Sequence, residues 1–312
     1  MAGNIRLGGL FNTYIKQNGA FAQENGYYKD STGSMSTLWS ADVSNYIFCV
    51  ESKGATISDS VVSALTTFMA DIAPIRSSIK HLWMPCSDNF LGAPCAIIND
   101  IGDRSMTVLG TFTSGDYSLA GGIQYNVGGT GYGAFGFDTG ISEAEWSSTY
   151  PGVYGDGIYN FSFHTGVLHA GTGTGEEKLI GANGVNEYGI SITQADWFLA
   201  QFHKNATIYQ TGTDRRPYDG KVLGASQTTG FDNGRSFKHY IDGVQVKSSS
   251  QYNFAHVARN ANFYYGAEDT GGAYALTARV GMSAICTRID NPALTTVLPN
   301  AYHKFNTAIG RS

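Results

Sequence analysis

The sequence predicts a mainly β protein in which short antiparallel strands form a sandwich or a barrel. Glycine supplies 40 of the 312 residues, about 13% against the roughly 7% of an average protein. Hydrophobic residues make up 42% and aromatic residues 13%, whereas charged residues make up only 14%. This composition favours turn-rich β structure around a substantial core, and it excludes collagen, long helical rods and disordered chains.

The first 45 residues are predicted to form an attachment arm. They are rich in Gly, Asn and Ser and carry scattered aromatic side chains, so they are too apolar for a free tail and too interrupted by glycine for a domain. The N-terminus lacks the apolar stretch of a signal peptide, and we expect a soluble mature chain that begins near Met1. The predicted partner-docking residues of the arm are Phe11, Tyr14, Phe21 and Trp39.

Residues 46–80 are predicted to form a helical linker segment. One helix of this segment is expected over residues 57–72, with Ser58 or Asp59 capping its start and Pro74 bounding its end. It is the only strong helix expected before residue 290. Its apolar face collects residues at helical spacing: Ile57, Val61, Leu65, Phe68 and Ile72.

Residues 81–312 are predicted to form the β-sandwich itself. Short β-prone runs alternate there with Asp-Gly and Asn-Gly dipeptides, which supply the positive φ that tight hairpin turns require. The clearest hairpin turns at Asp242-Gly243, and the last strand is expected over residues 278–286. A helix that follows Asp290-Asn291-Pro292 and runs towards Ile309 is expected to close the chain.

The four cysteines are predicted to be buried thiols. They are too few for a disulfide scaffold in a chain of this length, and none lies in a CxxC pair. His81, Cys86 and Cys95 do not match the spacing of a zinc site. Acidic residues near turns lack the ordered ligand spacing of a calcium loop, so we predict neither a metal nor a cofactor. The cysteines are Cys49, Cys86, Cys95 and Cys286, and the acidic residues are Asp138, Asp156, Asp232 and Asp242.

The sequence contains no catalytic motif, and we predict that the chain is not an enzyme. Gly131–Gly136 satisfies G-x-G-x-x-G, but no parallel βαβ unit follows it, as a dinucleotide site requires. Glu143 and Glu145 lie in a Ser/Gly-rich stretch that is interpreted as a solvated loop. No nucleophile elbow or phosphate-binding loop occurs, and no catalytic residue is assigned.

Aromatic residues interleaved with glycine and small polar residues over 146–159 are the strongest functional signal. Flat rings can stack on the apolar faces of sugars, and a carboxylate can accept their hydroxyls. Ordinary sandwich core or a subunit contact is the alternative interpretation. A second stretch, Asp214–Asp219, can pair with an acidic glycan through Arg215 and Arg216 or be a solvated turn. The predicted carbohydrate-binding residues are Trp146, Tyr150, Tyr154, Asp156 and Tyr159.

Several stretches resemble known families. The hairpin Tyr240–Val246, the strand Phe263–Gly266, the last strand and the closing helix resemble the C-terminal half of a concanavalin A-like, laminin-G-like jelly-roll sandwich. Four further boxes, together with the helix at 57–72, are similar to a module of tailed-bacteriophage virion proteins, over roughly residues 55–312. The E-x-D-x-x-E pattern of glucanases with this sandwich is absent. The boxes are His81–Pro85, Ala93–Asp100, Ser114–Ser118 and Thr307–Arg311.

The resemblance implies a structural virion protein of a tailed phage or phage-like particle, such as a tail fibre, head fibre, spike or capsid decoration. Such a protein is made in the bacterial host cytoplasm, binds other virion proteins through its arm, forms a homo-oligomer with a trimer favoured, and contacts host surface polysaccharide. The net charge of −5 and the absence of Lys or Arg runs exclude nucleic acid, and no segment is long enough for membrane insertion. The alternatives are a glycan-degrading enzyme on the same fold and a capsid or tail subunit without a ligand.

Overall fold

A computed structural model shows a β-sandwich with a few helices, which confirms the predicted fold class. The described residues are 27–29, 35–37, 40–101, 105–113, 115–124, 136–150, 161–170, 177–182, 188–192, 198–202, 207–210, 218–229, 235–251, 262–266, 278–287 and 293–311. Within them every strand pairing is antiparallel. No helix in these ranges is both long enough and apolar enough to cross a membrane.

The strands follow one another along the chain as β1 (Tyr27–Lys29), β2 (Met35–Thr37), β3 (Ile79–Trp83), β4 (Ala96–Asn99), β5 (Thr107–Leu109), β6 (Tyr117–Ser118), β7 (Gly122–Gln124), β8 (Gly136–Ser142), β9 (Phe161–His169), β10 (Glu177–Ala182), β11 (Tyr188–Ile192), β12 (Phe198–Phe202), β13 (Thr207–Gln210), β14 (Val222–Thr229), β15 (Arg235–Ile241), β16 (Val244–Gln251), β17 (Asn262–Tyr265) and β18 (Arg279–Thr287). The helices are α1 (Ala41–Ser52), α2 (Asp59–Asp71), α3 (Glu143–Thr149) and α4 (Val297–Ala308), with 3-10 helices at Ala73–Ser78 and Phe90–Gly92.

Two large sheets form the sandwich. One has the strand order β16-β15-β14-β9-β18-β3-β4, with β7 added to β18 and β6 added to β7. The other has the order β13-β12-β11-β10-β17-β8-β5. The short pair β1–β2 lies within the predicted arm and stands apart from both sheets among the described strands.

The sandwich is covered on one side by helices, so the larger sheet has a buried core on both faces. Between the sheets, Trp83, Phe137 and Phe163 belong to one buried cluster. On the outer face, α1, α2 and α4 contribute side chains such as Phe68 and Tyr302 to a second cluster that includes residues of β3, β4 and β18. The segment predicted to be a helical linker therefore contributes to the core.

The helices confirm two predictions and correct others. α2 and α4 lie where the periodicity and the closing segment predicted them. Two helices were not expected before residue 290. α1 begins inside the predicted arm, and the Ser40 hydroxyl caps it by accepting a hydrogen bond from Val43 N at 3.4 Å. α3 replaces the loop predicted around Glu143 and Glu145, and the Ser142 hydroxyl caps it by accepting from Glu145 N at 3.1 Å.

The cysteine prediction was wrong for two of the four residues. Cys49 of α1 and Cys95 before β4 form a disulfide, with their Cα atoms 5.9 Å apart. Their separation of 46 residues carries no pairing information in the sequence. Cys86 and Cys286 are buried free thiols, as predicted, and burial raises the pKa of Cys86 to about 11.

Three of the boxes that carry the phage resemblance meet at one buried corner beside the C-terminus. Gly310, with φ of 74°, ends α4 and redirects the chain. Arg311 is then buried, and its guanidinium donates to the carbonyl oxygens of Pro85 and Leu119, the second at 2.6 Å. Tyr117 donates its hydroxyl proton to Ser87 O in the same region. These boxes therefore stabilise the fold.

Candidate functional site

Trp146, the first of the predicted carbohydrate-binding residues, is part of the core. It lies in α3 and is only 1% exposed. Its ring contacts Phe263 of the smaller sheet edge-on, with 6.2 Å between the ring centroids. The prediction that Trp146 belongs to an exposed stacking platform was wrong, because the capped helix turns the indole inward between the sheets.

Most of the remaining predicted site residues lie outside the described residues. These are Tyr154, Asp156 and Tyr159 of the platform and Phe11, Tyr14, Phe21 and Trp39 of the arm, and their roles stay predictions. The Asp214–Asp219 stretch is described only at its end. There Tyr218 is buried, and Asp219 accepts from Ala170 N at 2.6 Å and lies 3.1 Å from His169 Nδ1.

Tyr150 is the described platform residue that reaches the surface. It follows α3, where its N–H donates to Trp146 O at 2.9 Å, and its ring is half-buried against the inter-sheet core. The ammonium of Lys80 lies 5.0 Å from its ring centroid, which is a cation–π distance. Partial burial, reinforced by the nearby Asp100 charge, raises the pKa of Tyr150, so its hydroxyl keeps its proton at neutral pH.

We call five residues the Tyr150 cluster: Asp42, Arg76, Lys80, Asp100 and Tyr150. Of the four charged side chains, Lys80, Arg76 and Asp100 act on the tyrosine directly, and Asp42 joins them through its ion pair with Arg76. They come from four parts of the fold. Asp42 lies in the first turn of α1, Arg76 in the 3-10 helix after α2, Lys80 in β3, and Asp100 directly after β4. The Asp100 N–H donates to Lys80 O at 2.8 Å, which extends the β3–β4 pairing and places the two side chains together.

Arg76 connects the two carboxylates of the cluster. Its Nε and Nη2 donate to Asp42 at 2.7 and 2.9 Å, and its Nη1 and Nη2 donate to Asp100 at 3.2 and 2.9 Å. Lys80 Nζ lies 3.6 Å from Asp100 Oδ2. Burial alone would lower the pKa of Arg76, but the hydrogen bonds to Asp42 and Asp100 outweigh it and raise that pKa. Two cations and two anions leave the cluster without net formal charge.

A second polar group of interest is the pair His164 and Ser162 on β9. His164 Nε2 lies 3.2 Å from Ser162 Oγ, a hydroxyl–imidazole contact. Both residues are buried on the helix-covered face of the larger sheet. Burial lowers the pKa of His164 to about 4, so the imidazole is neutral at pH 7. The pair is therefore part of the buried interior of the described residues.

The Asp242-Gly243 turn forms a third polar group, which connects the hairpin to α4. Asp242 accepts from Val222 N and contacts His303 Nε2 and Lys221 Nζ, each at 2.9 Å. Burial alone would raise the pKa of Asp242, but the hydrogen bonds, first that from His303, lower it to about 2. The carboxylate therefore stabilises the position of the turn against the helix.

A groove of about 310 Å³ lies between α2 and α4. Its floor includes Phe68 and Phe305, and an Asp71–Lys304 ion pair of 3.1 Å crosses it. Three hydroxyl side chains, Ser60, Ser63 and Thr67, also line it. Within the described ranges, no three His, Cys, Asp or Glu side chains are grouped so that they could hold a metal ion.

No protein-family model matches the chain, and no curated protein matches it. Among solved structures, a Trypanosoma rangeli sialidase bound to a difluoro-KDN ligand is similar over 76% of this chain at 12% identity, with a TM-score of 0.45. A mutant of that sialidase displaying trans-sialidase activity is similar over 78% of this chain at 12% identity, with a TM-score of 0.46. The Ruminococcus gnavus IT-sialidase CBM40 is similar over 46% of this chain and 88% of its own, at 11% identity and a TM-score of 0.36. This chain spans only 38–39% of the length of the two Trypanosoma proteins.

This comparison contradicts the prediction that the chain is not an enzyme. Sialidases are enzymes, and several of the solved structures to which this chain is similar are sialidases. The prediction is therefore withdrawn. At 12% identity and a TM-score of 0.45, the similarity assigns neither an activity nor a catalytic residue to this chain.

The charged members of the Tyr150 cluster were missed in the sequence. Asp100 ends one of the boxes that carried the resemblance, and Lys80 alternates with buried residues along β3, but neither pattern connects them. Only the pairing of β3 with β4 and the docking of α1 bring the cluster together. No spacing in the sequence signals it.

Proposed function

We propose that the chain is a structural subunit of a tailed-phage or phage-like particle, and that its sandwich contacts host surface glycans through the Tyr150 cluster. The resemblance of the sequence boxes to virion proteins supports the first part. The second rests on one observation: a half-buried Tyr150 ring lies beside Lys80 and Asp100 at the surface.

The chemistry of the cluster suits sugar recognition. An aromatic ring can stack on the C–H face of a pyranose, while carboxylate oxygens accept hydroxyl protons. The residues are held by a bidentate arginine, so little side-chain ordering remains to oppose binding. Tyr150 also leads directly into residues 151–159, where the other predicted platform residues lie.

The glycan part is tested by binding of the purified protein to host cells and to host polysaccharide. Tyr150→Ala is expected to weaken binding about tenfold, since a stacked ring contributes about 1–2 kcal/mol. Tyr150→Phe retains the ring and is expected to lose less. The control is Val244→Ala, an exposed residue of β16 at the opposite edge of the same sheet from β4. Equal binding by Tyr150→Ala and the control would reject the site.

The virion part is tested by deletion of residues 1–39. The truncated chain retains α1 and the sandwich and is expected to fold, because it keeps every residue of the two core clusters that the structure describes. It is expected to be missing from assembled particles, since the arm supplies the proposed contact with other virion proteins. Normal incorporation of the truncated chain would refute that role of the arm.

A further inference from the structure

The guanidinium of Arg76 has no hydrogen-bond donor left for a ligand. Arginine carries five N–H donors. Nε donates to Asp42 Oδ2, Nη1 donates to Ile79 O and Asp100 Oδ2, and Nη2 donates to Asp42 Oδ1 and Asp100 Oδ1. All five are therefore used within the protein, at distances from 2.7 to 3.2 Å.

Lys80 is also committed within the cluster. Its ammonium lies between the Asp100 carboxylate and the Tyr150 ring, and only 15% of its side chain is exposed. A carboxylate-bearing ligand at this site would meet two fixed carboxylates, Asp42 and Asp100, without a free guanidinium to pair with. Recognition of a carboxylate normally uses such a guanidinium in a bidentate contact.

The two carboxylates of the cluster, in contrast, can accept further hydrogen bonds. A carboxylate has about four lone-pair sites. Each oxygen of Asp42 accepts a single bond from Arg76, and Asp100 accepts two bonds from Arg76 besides its contact with Lys80. The side chain of Asp100 is 30% exposed, so its remaining sites face solvent. Hydroxyl groups are the ligands that such acceptors bind.

We propose that the Tyr150 cluster selects neutral, hydroxyl-rich sugars and discriminates against sugars that carry a carboxylate, such as sialic or uronic acids. This inference rests on the proposed glycan contact and specifies its substrate class. The ring supplies the stacking surface, Asp100 and Asp42 accept hydroxyl protons, and Arg76 acts as a positioning residue that fixes both carboxylates.

The test uses matched pairs of soluble probes that differ only by a carboxylate in place of a hydroxymethyl group: methyl glucoside against methyl glucuronide, and methyl galactoside against methyl galacturonide. Binding is measured by ligand-observed NMR and calorimetry with the full chain. The neutral member of a pair is expected to bind about fivefold more tightly, because a ligand carboxylate would lose its hydration beside the two protein carboxylates and find no free guanidinium donor to replace it. Binding of the neutral member is expected to change little with salt.

Asp100→Asn provides the second variant. It removes one carboxylate and leaves Arg76 and Lys80 in excess, so the preference between the members of a pair is expected to shift towards the acidic sugar by about fivefold. Val244→Ala is the matched control, with no shift expected. A thermal melt of each variant verifies that it is folded.

The outcomes separate this inference from the proposed function. If the parent chain prefers the acidic sugar and Lys80→Ala loses that preference, the proposed discrimination against carboxylates is overturned, whereas the glycan site at Tyr150 stands. If neither Tyr150→Ala nor Asp100→Asn changes binding of the neutral sugar, glycan recognition lies elsewhere in the chain, and this inference is overturned as well. Absence of binding to every probe and to host polysaccharide rejects the glycan contact and this inference with it.

Discussion

Replacement of Trp146 by alanine distinguishes a core residue from a ligand-binding residue. The indole is 1% exposed and contacts Tyr150 at a centroid distance of 5.0 Å as well as Phe263. Truncation of a buried Trp commonly costs about 3–5 kcal/mol, from lost transfer energy and from the cavity that remains. Its indole Nε1 has no hydrogen-bond partner among the described residues, so the expected loss is a packing loss.

The assay is urea unfolding monitored by circular dichroism, together with a thermal melt. Trp146→Ala is expected to lower the free energy of unfolding by about 4 kcal/mol. Trp146→Phe is the matched control. It retains most of the ring and gives up no hydrogen bond, so its expected cost is only about 1–2 kcal/mol.

The opposite result would refute the reasoning. If Trp146→Ala kept the stability of the parent chain and lost binding to host cells, the indole would be an exposed ligand contact and α3 would be placed wrongly. A stability loss equal in Trp146→Phe and Trp146→Ala would instead show that the indole N–H matters more than the packing of the ring.

Three further predictions concern stability. Asp242→Asn keeps a residue that tolerates the observed φ of 50°, and it is expected to lower the free energy of unfolding by about 1 kcal/mol at pH 7, after allowance for solvent screening. Since the folded pKa of Asp242 is about 2, the stability that the parent gains from this carboxylate should be lost between pH 4 and pH 2. The same pH dependence of stability in parent and variant would contradict the assignment. Burial lowers the pKa of His164 to about 4 and, helped by the Lys247 charge, that of His239 to about 3. Because the unfolded chain takes up protons on these histidines below about pH 6.5, the free energy of unfolding should fall by about 3 kcal/mol from pH 7 to pH 5. Glutamine at both positions should remove most of this pH dependence, and an unchanged pH dependence would count against the prediction. The Cys49–Cys95 disulfide closes a loop of 46 residues, so replacing both cysteines by serine should cost about 2–4 kcal/mol by urea unfolding, whereas four reactive thiols in the unreduced, denatured parent would show that the bond is absent.

Local signals in the sequence predicted the elements that local chemistry determines. The Asp242-Gly243 pair forms the predicted hairpin turn, with φ of 50° and 78° at the two residues. The predicted helix 57–72 and last strand 278–286 match α2 and β18 within two residues at each end. In each case the apolar period or the turn dipeptide is complete within one short window.

Elements that depend on tertiary contacts were not predictable in this way. α1 has a helical apolar face, but the Gly- and Asn-rich sequence before it favoured an arm that extends to residue 45. Trp146 follows two glutamates in a stretch rich in Ser and Gly, which is typical of an exposed loop, and it is buried only because Phe263 of a distant strand lies opposite it. The Cys49–Cys95 bond likewise depends on how α1 docks beside β4.

The proposed site and the proposed attachment arm are connected through α1. Asp42 lies two residues after Ser40, so the chain that arrives from the arm enters directly at the carboxylate that holds Arg76. The Cys49–Cys95 disulfide fixes the other end of the same helix beside the start of β4, and Asp100 follows the end of that strand. With both ends held, α1 keeps Asp42 within 2.7 Å of Arg76, and Arg76 in turn keeps Asp100 in place beside Lys80 and Tyr150. The geometry of the Tyr150 cluster thus depends on a helix that is held by a bidentate ion pair at the end where the arm joins the sandwich and by a covalent bond at its other end.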